Sequence, residues 1–207
     1  MSVVVARNKT ADEYLAMERA SPTKHEYFDG SIVAMAGGSE RHNVICMNAG
    51  AELRSRLREK GCRVYPSDMR VGIPRKGGYY FYPDVTVVCD KPEVTGKNDV
   101  LLNPIAVIEV RSTAAAAYDE GEKFKLYRRI TSLKVFVLIS QKEPYVEVHE
   151  RQDFNNWRTT YTEGVDQDVF FPVLDVTIPM RDIYAFVEFD PVDPESTGDV
   201  PPGMTDE

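Results

Sequence analysis

The sequence predicts a mixed α/β (α+β) fold, a β-sheet with helices packed on at least one face. Three observations predict it. Residues 105–110 are a near-continuous apolar run of strand length, followed within ten residues by a helical pattern, and such a run reads as a buried strand. Asp29-Gly30 separates two β-prone segments, a strong hairpin signal. The predicted order is helix, hairpin, helix, several strands, helix, strands, which fits helices layered on a sheet.

Each element has its own signal. Thr10 and Glu13 form a capping-box pattern before Tyr14, Leu15 and Met17, and Ser21-Pro22 ends that first helix. His25 to Phe28 and Ser31 to Met35 are the arms of the hairpin. A second helix is predicted from Glu40 to Lys60, with Ser39 as cap, Gly61 as stop and Ile45, Ala49, Leu53 and Leu57 as its inner stripe. Strands are then expected at Cys62–Tyr65, Met69–Ile73 and Tyr79–Val88, with a loop from Lys91 to Leu102. In the third of these Pro83 marks an edge, a bulge or a strand start, because it cannot donate to a ladder. A helix follows from Tyr118 to Ile130, then strands at Val135–Ile139, Tyr145–Glu150 and around Trp157–Tyr161. Pro179, at a first-turn position, starts a short helix through Val187.

Composition excludes several classes. The 207 residues allow one domain plus appendages. No apolar segment approaches the ~20 residues that span a membrane, and Met1 to Arg7 lacks the features of a signal peptide. Cys46, Cys62 and Cys89 are odd in number, widely spaced and without a CxxC. That pattern favours reduced thiols in a cytoplasmic protein over disulfides or a zinc site. The net charge is −8, but six acidic residues lie in the segment 190–207, leaving −2 for residues 1–189. The predicted organisation is one domain over 1–189 and an acidic, disordered tail over 190–207. Arg54, Arg56, Arg58 and Lys60 cluster at the end of the second helix. They complement a helix C-terminus, or they offer a local patch for phosphates. Neither a GxGxxG nor a Walker loop occurs, and HExxH and GxSxG are also missing.

The chemistry concentrates on few residues. Glu109 lies inside the apolar run, where an ionised carboxylate must be paired, protonated or bound to a cation. Arg111 shares its strand face, and either Arg111 or Lys123 could pair with it. Asp84 follows Pro83 on an apolar and aromatic segment, and Tyr127 stands one turn beyond Lys123. Two carboxylates on adjacent strands can hold Mg²⁺ or Mn²⁺, and a nearby lysine can orient water or neutralise developing charge.

This combination resembles the PD-(D/E)XK nucleases, and more closely the Uma (Uma two) family of restriction-endonuclease-like proteins. Pro83-Asp84 matches the PD element and Glu109-Val110-Arg111 the strand with the second acid. Lys123-Phe124-Lys125-Leu126-Tyr127 matches the family's K-x-x-x-Y helix, to which its lysine has moved. Glu26 to Gly30 resembles the hairpin entry, and His42 the histidine opening the core helix. The resemblance covers about Thr10 to Tyr184. It departs at Arg111, where the family often has an apolar residue, and arginine cannot act as a base near neutral pH.

The resemblance implies a restriction-endonuclease-like sheet flanked by helices, with an N-terminal helix and hairpin and additional C-terminal strands. It further implies metal-dependent hydrolysis of DNA phosphodiester bonds. Asp84 and Glu109 would hold Mg²⁺ or Mn²⁺, with the Val110 carbonyl as a third ligand, and Lys123 would position water. Glu26, His42, Arg111 and Tyr127 would support them. A homodimer through edge strands in the C-terminal half would suit cutting of two strands. Two alternatives stay open: a catalytically silent module that binds nucleic acid or a protein partner, and a hydrolase of another phosphate ester.

Overall fold

The computed structural model describes residues 3–73, 78–111 and 116–190. The predicted acidic tail lies outside these residues, apart from Asp190. A strand that the sequence does not signal, β1 (Val3–Ala6), precedes α1 (Ala11–Glu18). The predicted capping box is formed: the Glu13 amide donates to Thr10 Oγ1, and the Thr10 amide donates to the Glu13 carboxylate at 2.7 Å. The hairpin pairs β2 (His25–Phe28) with β3 (Ser31–Ala34). Its Asp29 and Gly30 both have positive φ, 41° and 97°, as a two-residue turn with the twist of a hairpin requires. Ser39 caps α2 (Glu40–Leu57), and Ile45, Ala49, Leu53 and Leu57 are all buried.

Next come β4 (Arg63–Pro66), β5 (Arg70–Ile73), β6 (Tyr79–Phe81) and β7 (Val85–Val88). The single strand expected over Tyr79–Val88 is thus two strands in two different sheets. Pro83 supplies no N–H for a ladder, and at Tyr82-Pro83-Asp84 the chain leaves one sheet for the other. The segment expected to be a loop after Lys91 contains two short strands, β8 (Val94–Thr95) and β9 (Val100–Leu101). β10 (Ala106–Arg111) leads through α3 (Ala116–Tyr127) to β11 (Val135–Ser140), and β12 (Tyr145–Arg151) and β13 (Trp157–Glu163) follow as expected.

The C-terminal part differs from expectation. A further hairpin joins β14 (Asp168–Phe171) to β15 (Val176–Pro179) around a 3₁₀ turn at Pro172–Leu174, with Asp175 left-handed. Pro179 ends β15 and caps α4 (Met180–Ile183), which is shorter than the helix expected through Val187. The inward residues Val169, Phe171, Val176 and Ile178 are buried, but Pro172 and Asp175 interrupt their alternation and hide the hairpin in the sequence.

Among the described residues, β13-β12-β11-β10-β7-β4 form a six-stranded sheet and β1-β3-β2-β6-β5-β9-β8 a seven-stranded one. The six-stranded sheet is the centre. One face packs on the stripe of α2, the β14–β15 hairpin and α4. The other packs through Val107, Phe136 and Leu138 on Tyr127, Ile130 and, from the second sheet, Val71, Ile73, Tyr79 and Phe81. α1 covers Tyr27 and Ile32 on the second sheet. β10 and β11 are parallel neighbours, with Glu109 opposite Leu138, and both are covered on two faces, which explains their unbroken apolar sequences. No helix among the described residues is long and apolar enough to cross a membrane.

The cysteine expectation is corrected. β4 and β7 are antiparallel with Arg63 opposite Val88, so Cys62 and Cys89 face one another one step further out, and a disulfide joins them. The pair is 27 residues apart, and only strand register brings it together. Cys46 is free. Two of the clustered cations at the end of α2 have structural partners: Arg56 Nε donates to the Thr177 carbonyl at 2.9 Å, and Lys60 Nζ to the Leu174 and Asp175 carbonyls.

Candidate active site

The site forms where the chain passes between the sheets. Asp84 stands at the entrance to β7, partly buried, and its Oδ2 accepts from the Val110 amide at 2.7 Å. Val110 is thus part of the site through its N–H, which pins the carboxylate to the end of β10. His42, in the first turn of α2, brings Nε2 to 3.4 Å from Asp84 Oδ2. That contact raises the His42 pKa, although burial opposes it. Gly38 is needed beside the imidazole, since a Cβ there would lie 2.5 Å from His42 Nδ1.

Glu109 emerges from β10 on the opposite face from Ile108 and Val110. The buried Tyr127 hydroxyl donates to its Oε1 at 3.0 Å. Burial pushes its pKa up to about 8, with Asp84 and Glu26 adding like charge, while Lys123 and the Tyr127 hydrogen bond pull it down. Lys123 Nζ donates to Glu26 Oε1 at 2.7 Å and lies 5.6 Å from the centre of the Phe81 ring. Burial alone would lower its pKa, but Glu26 and then Glu109 outweigh it and hold the ammonium well above the ordinary lysine range. The ion pair with Glu26 thus favours the ammonium form of Lys123.

The geometry follows from topology. A helix that connects two parallel neighbours must cross the sheet face, so α3 lays Lys123 and Tyr127 over Glu109. Glu26 comes from β2 in the other sheet, one residue past the Tyr27–Tyr80 pair. Arg111 directs Nη1 to Glu147 Oε1 on β12 at 2.7 Å. Glu147, whose pKa is lowered by His149 and then Arg111, is outside the predicted set. The alternation of Val146 and Val148 in the sequence points Glu147 away from the α2 side and could have signalled it.

By donor type the three predicted carboxylates suit a hard divalent cation, but among the described residues their ligand atoms are not gathered as tightly as one ion needs. Asp84, Glu109 and Glu26 offer carboxylate oxygens, the ligand type Mg²⁺ and Mn²⁺ take. Burial is the main cause of the raised Glu109 pKa, and Asp84 and Glu26 add like charge that a cation would relieve. The structure also brings together a group that the sequence reading did not assemble. Ligand atoms of His42, Cys46 and Asp84 lie within 4.8 Å of one another. The signal was the four-residue spacing of His42 and Cys46 on one helix face.

Known proteins share the family and the fold of this chain. The Uma2 family model, described as a putative restriction endonuclease, matches residues 11–180. An uncharacterized Synechocystis sp. protein, sll1609, is 33% identical over 177 residues, covering 84% of this chain and 99% of the relative. A second one, slr1290, is 35% identical over 146 residues, covering 70% of this chain and 76% of the relative. A crystal structure from Anabaena variabilis, described as a putative nuclease belonging to DUF820, shares the fold with a TM-score of 0.67 at 19% identity. It covers 87% of this chain and 99% of its own. With the family model spanning residues 11–180 and relatives 33–35% identical over most of the chain, this protein belongs to the Uma2 family.

Proposed function

We propose that the chain is an endonuclease that hydrolyses DNA phosphodiester bonds with Mg²⁺ or Mn²⁺. The observation that carries the reading is the electrostatic coupling of the buried Glu109 to Lys123, Asp84 and Glu26, with Lys123 paired to Glu26. Asp84 and Glu109 would hold the cation, with the Val110 carbonyl as third ligand. The ion would lower the pKa of bound water and offset phosphoryl charge. The chain's own groups then have separable tasks. The Val110 amide fixes the Asp84 carboxylate, and Tyr127 fixes that of Glu109. Lys123 orients the attacking water or neutralises charge on the phosphate, and Glu26 holds Lys123 in place and protonated. His42 steadies Asp84 from α2, and Arg111 with Glu147 adds a cation at the end of β10. DNA is the proposed partner, and a homodimer would place two such sites on one duplex. β13, an edge of the central sheet, is the proposed dimer strand.

Chelator-treated protein should leave supercoiled DNA intact until Mg²⁺ or Mn²⁺ is added. Glu109→Gln and Asp84→Asn should abolish the cleavage while retaining the fold by circular dichroism. Cleavage that survives both substitutions would overturn the assignment.

One observation favours a second reading, a silent module that binds nucleic acid or a protein partner. Burial favours the neutral form of Glu109, and Lys123 is balanced by Glu26, so the site can rest without a cation. Calorimetric titration of Mn²⁺ separates the readings: heat that Glu109→Gln removes belongs to the enzyme, and none in the wild type to the silent module.

A further inference from the structure

We propose that His42, Cys46 and Asp84 form a second, thiolate-containing metal site for a borderline-soft divalent ion of the zinc class, and that this site competes for Asp84. His42 and Cys46 are four residues apart on α2 and face the same side. His42 Nε2 lies 3.4 Å from Asp84 Oδ2 and 3.9 Å from Cys46 Sγ. Tetrahedral zinc with ordinary bond lengths needs about 3.3 Å between nitrogen and oxygen and about 3.6 Å between nitrogen and sulfur. All three ligand atoms lie within 4.8 Å of one another, so side-chain adjustments bring them onto one ion. Gly38 leaves the imidazole its room, and His42 and Asp84 remain partly accessible, at 17% and 14% of their side chains.

The ligand types select the ion. Thiolate and imidazole favour zinc or cobalt, whereas Mg²⁺ prefers carboxylate and water oxygens. Three protein ligands leave a fourth position for water. On binding, Cys46 Sγ gives up its proton to solvent and forms a bond to the ion. The consequence for catalysis rests on the nuclease reading: with Asp84 engaged by zinc, the hard-cation site loses a ligand, so zinc acts as an antagonist of Mg²⁺ or Mn²⁺. The site itself does not depend on that reading.

Cobalt(II) is the probe, added to the full chain without external thiol. The wild type should show a near-ultraviolet thiolate-to-cobalt charge-transfer band and visible bands of a tetrahedral ion, both lost on adding zinc, which binds more tightly. Cys46→Ser should lose the charge-transfer band and Glu109→Gln should keep it, with circular dichroism confirming the fold of each. A wild type without the band, or a band that survives in Cys46→Ser, overturns the proposal. If the cobalt band forms but Mn²⁺ gives no binding heat, the nuclease reading falls and the zinc-class site stands.

Discussion

At the scale of residues, the site is a balance of charges across a seam. Glu109 shows the sign of that balance. In the unfolded chain its carboxyl titrates near 4.5, and burial raises it to about 8 in the fold. Below the lower value both states are protonated and nothing is lost. As pH rises toward the higher value the unfolded chain sheds the proton while the native site keeps it, so native stability falls. Cation-free wild type should therefore lose stability from about pH 4.5 to 8, and Glu109→Gln should show a shallower slope. Urea melts across that range test this. Lys123→Ala removes the cation that pairs with Glu26. By analogy with loss of a single electrostatic donor, it should cost about 10²-fold in kcat, with the fold intact, read from cleavage rates at saturating Mn²⁺.

The elements explain why the residues meet. α2 contributes both His42 to the site and Leu53 to the core, where Leu53 is 1% exposed. Leu53→Ala leaves a cavity under the helix and should cost about 2–5 kcal/mol, measured by chemical denaturation, with the midpoint shifted and the slope unchanged. α3 is the crossover that the parallel neighbours β10 and β11 require, and it covers the sheet face from which Glu109 emerges. The break at Pro83 is equally consequential. Had Tyr79–Val88 continued as one strand, Asp84 would lie inside a sheet rather than at the mouth of β7.

The whole molecule adds constraints that no element carries alone. The Cys62–Cys89 bridge ties β4 to β7 next to the strand that Asp84 precedes. A closed loop of this length stabilises the native state by about 3–4 kcal/mol on the chain-entropy model. Reduction should lower the urea midpoint accordingly, and Cys62→Ala should make the midpoint insensitive to reductant. The two sheets meet through Val107, Phe136, Tyr79 and Phe81, so destabilising the second sheet should loosen the Glu26–Lys123 pair that ties it to α3.

The sequence by itself determined the first helix, the first hairpin, α2 and the central strands, but not β1, β8, β9 or the β14–β15 hairpin. Thr10, Asp29-Gly30, Ser39 and the stripe of α2 act through neighbours within a few residues, which is why they are legible. Glu109 was legible for a different reason: a carboxylate in an apolar strand needs a partner wherever it lies. Only the tertiary structure decided the partners. Lys123 pairs with Glu26 across 97 residues, Arg111 with Glu147 across 36, and Cys62 with Cys89 across 27. Cys46 joined His42 and Asp84 only when β7 met α2. Strand order and register set these meetings, and they depend on packing between distant segments rather than on any local pattern.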